Sequence, residues 1–128
     1  MKLLTPPTIA PPFAAYTLGV EVPPDARMVA TLGQLALACD GTVPQGVRAQ
    51  ADLCFANYAA ILAEAAMTPA DVIRITAFVT DRAHMAAYVA ARATWMSGMH
   101  HLPASTLVIV CRFTRPEFLV EVEVMAAG

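Results

Sequence analysis

The chain of 128 residues is 58% apolar and only 14% charged, with a net charge of −2. This length fits one domain, residues 1–128, and an average soluble domain is only roughly 45–50% apolar. The absence of a basic run argues against nucleic acid as a partner, and no stretch approaches the ~20 apolar residues of a membrane span. The apolar surplus instead predicts a subunit that covers part of its surface with copies of itself.

The first residues and the cysteines bear on the cellular compartment. The N-terminal "MKLLTPP" has too short an apolar run for a signal peptide, so we expect a cytoplasmic protein with no membrane partner. Cys39, Cys54 and Cys111 are widely spaced and lack a CxxC motif, which does not favour disulfides. Cys54 falls on an apolar helical face and is expected in the core.

The first half of the chain predicts an arm, two strands and a helix. Four prolines make residues 1–12 an extended arm. Apolar and β-branched residues favour strands over 15–22 and 27–37, joined by a Pro-Pro-Asp turn. From Val47 to Met67, apolar residues recur at steps of three and four, which predicts an amphipathic helix.

The second half predicts a strand, a helix and two further strands. Residues 71–80 favour a strand, and Asp81 is a plausible N-cap of a second helix that ends near Gly98. Strands are expected over 105–113 and 118–126. The order β-β-α-β-α-β-β, with helices crossing between strands, predicts a two-layer α+β domain with a mixed sheet and both helices on one face.

Several short segments carry more specific information: "AYTLGV", "TLGQ", "AQA" followed by Asn57, "DVIRITAFVTD", "LPAS" and "LVEVEVMA". From about Pro12 to Ala126, their order and spacing resemble the RidA family, also called YjgF-type or L-PSP endoribonuclease. The resemblance implies a chorismate-mutase-like fold and a homotrimer with a central barrel and small-molecule clefts between subunits. In the best-known branch these clefts hydrolyse enamine or imine acids to 2-keto acids and ammonia, without a metal or organic cofactor.

The resemblance also assigns residues. The family pattern has an arginine in a "PAR" motif that grips the substrate carboxylate, a tyrosine, a serine before "GQ", a cysteine and a glutamate in "ExE". Tyr16, Gly33 and Glu121 match this pattern. The resemblance therefore implies that Tyr16 and the Gly33 backbone hold the ligand and that Glu121 is catalytic.

Three positions depart from the pattern. Ser105 stands where the arginine is expected, and Leu32 and Leu107 replace the serine and the cysteine. Charge-assisted hydrogen bonds from an arginine are worth ~1.5–3 kcal/mol each. We therefore expect a drier pocket without a counter-ion, in which anionic ligands bind weakly.

No other arginine is an evident substitute. Arg112 follows Ser105 by an odd number of residues, so strand alternation places it on the opposite face. Arg27 and Arg115 lie near strand ends and could reach the pocket from a neighbouring subunit. Arg92 is among the residues that recur at helical steps along the second helix, where Trp95 and the methionines are expected to pack.

Two interpretations stay open for the glutamates of the last strand. Glu121 and Glu123 are two apart, so both point to one face. Glu121 could face Leu32 and Leu107 and act as a base with a raised pKa. Alternatively, both carboxylates belong to a solvated face.

The hydroxyls and histidines of "HHLPAST" also have two interpretations each. Ser105 with a nearby histidine could be a hydrolase nucleophile, but no G-x-S-x-G elbow surrounds it and no third orienting group is evident, which favours a hydroxyl bonded to backbone. Ser105 or Thr106 could also orient a ligand. The adjacent His100 and His101 diverge in extended chain and lack a third ligand, so no metal site is expected. One of them could donate to a ligand at the cleft mouth, or cap the second helix.

Two classes of function remain. One is a hydrolase or deaminase acting on a C=N, enamine or related bond of a small, less acidic metabolite, in which Glu121 activates water. In this case Ser105, Thr106 or a histidine would orient the ligand. The other is a non-catalytic ligand-binding or regulatory trimer. The ribonuclease activity of the older family label is disfavoured, because the sequence has no basic groove.

Overall fold

Seven strands and two α-helices make up the computed structural model, which describes residues 1–128. The strands are β1 (Lys2–Leu4), β2 (Gly19–Glu21), β3 (Met28–Ala30), β4 (Gln34–Leu35), β5 (Val72–Val79), β6 (Ala104–Ile109) and β7 (Val120–Ala127). The helices are α1 (Val47–Glu64) and α2 (Met85–Trp95), and short 3-10 turns precede β5 and α2.

The main sheet is mixed and has the order β3-β7-β5-β6, with β4 also paired to β7. β5 and β6 run parallel because α2 crosses between them, whereas β7 is antiparallel to all of its partners. β1 and β2 form a separate antiparallel pair. The predicted α+β class with a mixed sheet is confirmed.

Both helices pack on one face of the sheet and enclose the core with it. β5 and β7 alternate, and their buried residues, such as Ile75 and Val122, lie in the same core cluster as residues of both helices. Phe55 of α1 stacks on Trp95 of α2 with ring centroids 4.7 Å apart. Cys54 is fully buried, as predicted, and burial raises its pKa to about 12. Neither helix combines the length and apolarity that a membrane span needs.

The strand predicted over 27–37 is instead two strands, β3 and β4, because side chains supply hydrogen bonds between them. Thr31 Oγ1 lies 3.0 Å from both the carbonyl oxygen and the amide nitrogen of Val124, donating to the first and accepting from the second. Further along, the hydroxyl of Tyr58 donates to the Leu32 carbonyl at 2.8 Å. These side chains interrupt the regular ladder that a single long strand would form.

The element ends differ from the prediction in detail. The N-terminal arm is extended at Lys2–Leu4, where β1 pairs with β2, but it turns at residues 7–9 instead of running straight over 1–12. Both helices end three residues earlier than predicted, and beyond their ends Ala66 and Gly98 turn the chain with φ angles of 56° and 84°. The side chain of Asp81 accepts from the Ala83 N–H at 2.8 Å, so it caps the 3-10 turn that leads into α2.

Candidate functional site

Strand alternation sends neighbouring residues of β6 to opposite faces of the sheet. Ser105 pairs with Ile75, which is fully buried, so Ser105 and Leu107 point to the side covered by the helices. Thr106 points to the open side, and so does Glu121 of β7. The site residues predicted from sequence are therefore divided between the two faces.

A cavity of about 200 Å³ lies on the helix side, next to β6, α2 and the segment before β2. Two polar residues, Arg92 and Ser105, line it. Phe13 meets Tyr16 edge to face with centroids 5.8 Å apart, and it is 94% exposed at the rim. The remaining lining is apolar or aromatic and comprises Phe13, Ala14, Tyr16, Met85, Val89 and Leu107. The cavity is smaller than the roughly 300–1,000 Å³ of drug-sized pockets, which suits a small, mostly apolar metabolite.

Arg92 of α2 is the charged group of this cavity. Its Nη1 donates to Ser105 Oγ at 2.8 Å, and its guanidinium carbon lies 5.8 Å from the centroid of the Tyr88 ring. Arg92 is only 4% exposed, its Nε is buried without a hydrogen-bond partner, and the ion pairs of the chain do not include it. Such a guanidinium has lost water without gaining a counter-charge, which is an unfavourable state for a buried ion.

The expectation of a pocket without a guanidinium is wrong. Residue 105 is a serine, but Arg92 on the neighbouring helix places its guanidinium against that serine. The sequence held a signal for this, because an arginine within a buried helical stripe requires a polar partner. The other arginines that were candidates, Arg27, Arg112 and Arg115, do not line the cavity.

On the open side of the sheet, Glu121 packs against the backbone of Gly33. A Cβ atom at position 33 would come within 2.7 Å of the Glu121 carboxyl carbon. Burial and, secondarily, repulsion from Glu123 raise the pKa of Glu121. The direction is the one predicted for a general base, and the close backbone accounts for part of the burial.

Tyr58 of α1 fixes the loop that carries Gly33. Its hydroxyl accepts from the Gln34 N–H at 3.1 Å and lies 2.8 Å from the Leu32 carbonyl, and it also contacts the Val122 carbonyl. Burial raises the pKa of Tyr58 to about 12, so this hydroxyl keeps its proton at neutral pH. The Leu32 side chain is 70% exposed beside this loop.

The other residues predicted to contact a ligand lie outside the cavity. Thr106 is exposed and accepts a long hydrogen bond from Arg74 at 3.4 Å. His100 is exposed, and His101 is half-buried with an unpartnered Nε2. Backbone N–H groups, rather than a histidine, bond to the last carbonyls of α2. No cluster of His, Cys, Asp and Glu is arranged to hold a metal ion.

Within one chain, the predicted site residues form two groups separated by the sheet. Tyr16, Ser105 and Leu107 line the cavity, whereas Gly33 and Glu121 lie on the open face. Glu121 does not face Leu107 within a single chain, because the two side chains point to opposite faces. Only a second copy could bring both groups to one ligand.

The fold and the cavity define a class of two-layer α+β subunits of the Rid type. The sequence profile described as "Endoribonuclease L-PSP" matches residues 8–128. The chain therefore belongs to the endoribonuclease L-PSP family, which is the RidA or YjgF family, as the short segments predicted. No curated protein matches the chain.

Solved structures of this family share the fold over nearly the whole chain. YyfB from Yersinia pestis, described as a Rid-family protein of unknown function, is 29% identical with a TM-score of 0.85, covering 99% of this chain and 98% of its own. The YjgF gene product from E. coli is 29% identical with a TM-score of 0.73, covering 91% of each chain. E. coli TdcF, solved with bound serine, is 25% identical with a TM-score of 0.74, covering 100% of this chain and 99% of its own.

Proposed function

We propose that this protein hydrolyses an enamine, imine or related bond of a small metabolite in a cleft between copies of the chain. The observation that carries the proposal is the Ser105–Arg92 pair at 2.8 Å within an otherwise apolar cavity. One polar anchor in an apolar pocket is the arrangement that orients a small organic molecule. E. coli TdcF, which shares this fold, is described with serine bound.

The proposed cleft is composite. The cavity with Ser105 opens beside Phe13, which is 94% exposed, and the open face presents Glu121 next to the exposed Leu32. In a cyclic trimer each chain meets the next through two different patches, so the mouth of the cavity on one chain would lie beside the open-face carboxylate of the next. Each cleft would then combine a polar anchor from one copy with a carboxylate from another.

The chemistry in such a cleft needs a base, a water molecule and an oriented C=N bond. The Glu121 carboxylate takes a proton from water as the hydroxyl oxygen adds to the imine carbon, and it passes that proton to the nitrogen. It then takes the hydroxyl proton of the carbinolamine and passes it to the amine nitrogen, so that the C–N bond breaks and leaves a carbonyl and ammonia. The raised pKa of Glu121 suits this exchange, because a more basic carboxylate accepts the proton of water more readily. The Gly33 backbone would hold the ligand and Ser105 would orient it.

A non-catalytic binder is the second candidate, and one observation favours it. The cavity of a single chain has no acid or base beside Tyr16 and the Ser105–Arg92 pair, since Glu121 lies on the other face. If the open face of another copy did not reach the cavity, the site would bind ligands without turning them over.

Ammonia release separates the two candidates. Freshly generated 2-iminobutanoate should release ammonia faster with the wild-type protein than in buffer, and Glu121→Gln should abolish the difference while leaving the fold intact. Glu64→Gln, on the exposed part of α1, is the matched control and should behave as wild type. Wild-type protein without any acceleration on imines would rule out the hydrolase and favour the binder.

A further inference from the structure

We infer that Arg92 is the carboxylate-binding residue of the cavity and that its preferred ligands are small monocarboxylates with an apolar body. The assignment rests on the proposed function, because it refines which ligands the same cavity accepts. It places the anion subsite on helix α2 and not on strand position 105, where the family pattern has its arginine.

The guanidinium of Arg92 has more donors than partners. Nη1 donates to Ser105 Oγ at 2.8 Å, whereas Nε is buried without a partner. Tyr88 offers a ring face 5.8 Å from the guanidinium carbon but no negative charge. Because Arg92 is 4% exposed and in no ion pair of the chain, its charge is left uncompensated beside the cavity. An anion entering the cavity would supply the missing counter-charge.

A carboxylate suits this place better than a larger anion. The planar fork of an arginine matches the two oxygens of a carboxylate. Arg92 is the only cation that lines the cavity, so a doubly charged phosphate would be left half neutralised. A volume of about 200 Å³ limits the ligand to a few heavy atoms, given that one water takes roughly 30 Å³. Val89 and Leu107 next to the fork favour an apolar ligand body.

Ser105 positions the guanidinium and does not replace it. Its hydroxyl accepts from Nη1, which fixes one edge of the fork and leaves the other donors free. The Ser105→Ala variant should therefore keep the preference for anions but bind them more weakly.

Calorimetric titration of the whole protein with 2-oxobutanoate and with uncharged 2-oxobutanamide tests this assignment. The wild type should bind the carboxylate roughly tenfold to a hundredfold more tightly than the amide. Arg92→Met should remove that preference, and it should raise the melting temperature of the unliganded protein, because a buried uncompensated charge is gone. Arg82→Gln is the control, since Arg82 is exposed just before α2, and it should keep the preference.

Two results would overturn the assignment. One is equal affinity of the wild type for both ligands, which is also the result expected if a carboxylate of a second copy already occupies Arg92. The other is a full carboxylate preference in Arg92→Met. Should that variant fail to fold, Arg92→Lys keeps the charge but not the fork and should lose most of the preference, so an unchanged preference there would equally overturn it.

The binding test of Arg92 can succeed or fail independently of the ammonia-release test of the proposed hydrolysis. Carboxylate preference without ammonia release from any imine would sustain the role of Arg92 and refute the proposed hydrolysis. Ammonia release from uncharged imines, with no carboxylate preference in binding, would sustain the hydrolysis and refute the role of Arg92.

Discussion

Gly33 and Glu121 approach so closely that no side chain fits between them: a Cβ at position 33 would lie 2.7 Å from Cδ and 3.0 Å from Cγ of the glutamate. Gly33 is not among the residues with positive φ, so its backbone conformation is open to other amino acids. The glycine is therefore required for the close approach and not for a turn. This contact places the Glu121 carboxylate against the loop that Tyr58 holds.

Gly33→Ala should displace the Glu121 carboxylate and leave the protein folded. The new methyl group would push the flexible Glu121 side chain away, while the backbone stays unstrained. We expect the free energy of unfolding to change by less than about 1 kcal/mol, and ammonia release to fall to the level of Glu121→Gln. Denaturant unfolding and the imine assay measure the two effects. Unchanged turnover in a folded Gly33→Ala protein would show that the position of Glu121 does not matter.

The raised pKa of Glu121 makes a stability prediction. Its ordinary value is 4.5, and burial followed by repulsion from Glu123 raises it in the folded chain. The folded protein thus binds this proton more tightly than the unfolded chain, so the contribution to stability is complete below pH 4.5 and is lost as the pH rises through the raised pKa. Relative to wild type, Glu121→Gln should gain stability between pH 4 and pH 7. Melting temperatures of both proteins across this range measure the difference, and a difference that stays constant with pH would contradict this account.

Tyr58 and Tyr88 are both buried, but only Tyr58 is hydrogen-bonded to the loop that carries Gly33, so replacing each in turn isolates the effect of those hydrogen bonds. The Tyr58 hydroxyl bonds to Gln34 and Leu32, whereas the Tyr88 hydroxyl is buried without a partner. Tyr58→Phe should lower the free energy of unfolding by about 1–3 kcal/mol, because buried backbone groups lose their partner. Tyr88→Phe should leave it unchanged or raise it. Urea unfolding of both variants measures these changes, and an equal loss of unfolding free energy in the two variants would contradict the role given to Tyr58 in the loop.

Gln50 provides a further test of how buried polar groups hold the loops. Its side-chain amide donates to the carbonyls of Pro44 at 3.0 Å and Glu117 at 2.8 Å, and its oxygen accepts from the Leu119 N–H at 2.9 Å. Gln50→Leu keeps the size but leaves these groups unpaired, so we expect a loss of about 2–3 kcal/mol in the free energy of unfolding. Gln45→Leu, at an exposed position, should cost far less in the same unfolding measurement.

Local patterns made the fold predictable, while the division of the site depended on distant contacts. Alternation in 71–80 and helical spacing from Val47 were enough to place β5 and α1, because those periods reflect one buried face. The break within 27–37 came from hydrogen bonds to residues far along the chain, which no local pattern encodes. Arg92 was visible on its helix, but its partner Ser105 became evident only when the helix was packed on the sheet.

The proposed composite cleft predicts that two inactive variants rescue one another. Leu107→Trp would fill the cavity on the helix side, and Glu121→Gln would remove the carboxylate from the open face. In trimers assembled from equal amounts of the two variants, a cleft between copies takes each group from a different chain, so about a quarter of clefts would carry both native residues. Mixing under conditions that exchange subunits should therefore restore about a quarter of wild-type ammonia release, measured against unmixed variants. Sites contained within one chain would show no recovery at all, because every chain would then carry one of the two substitutions.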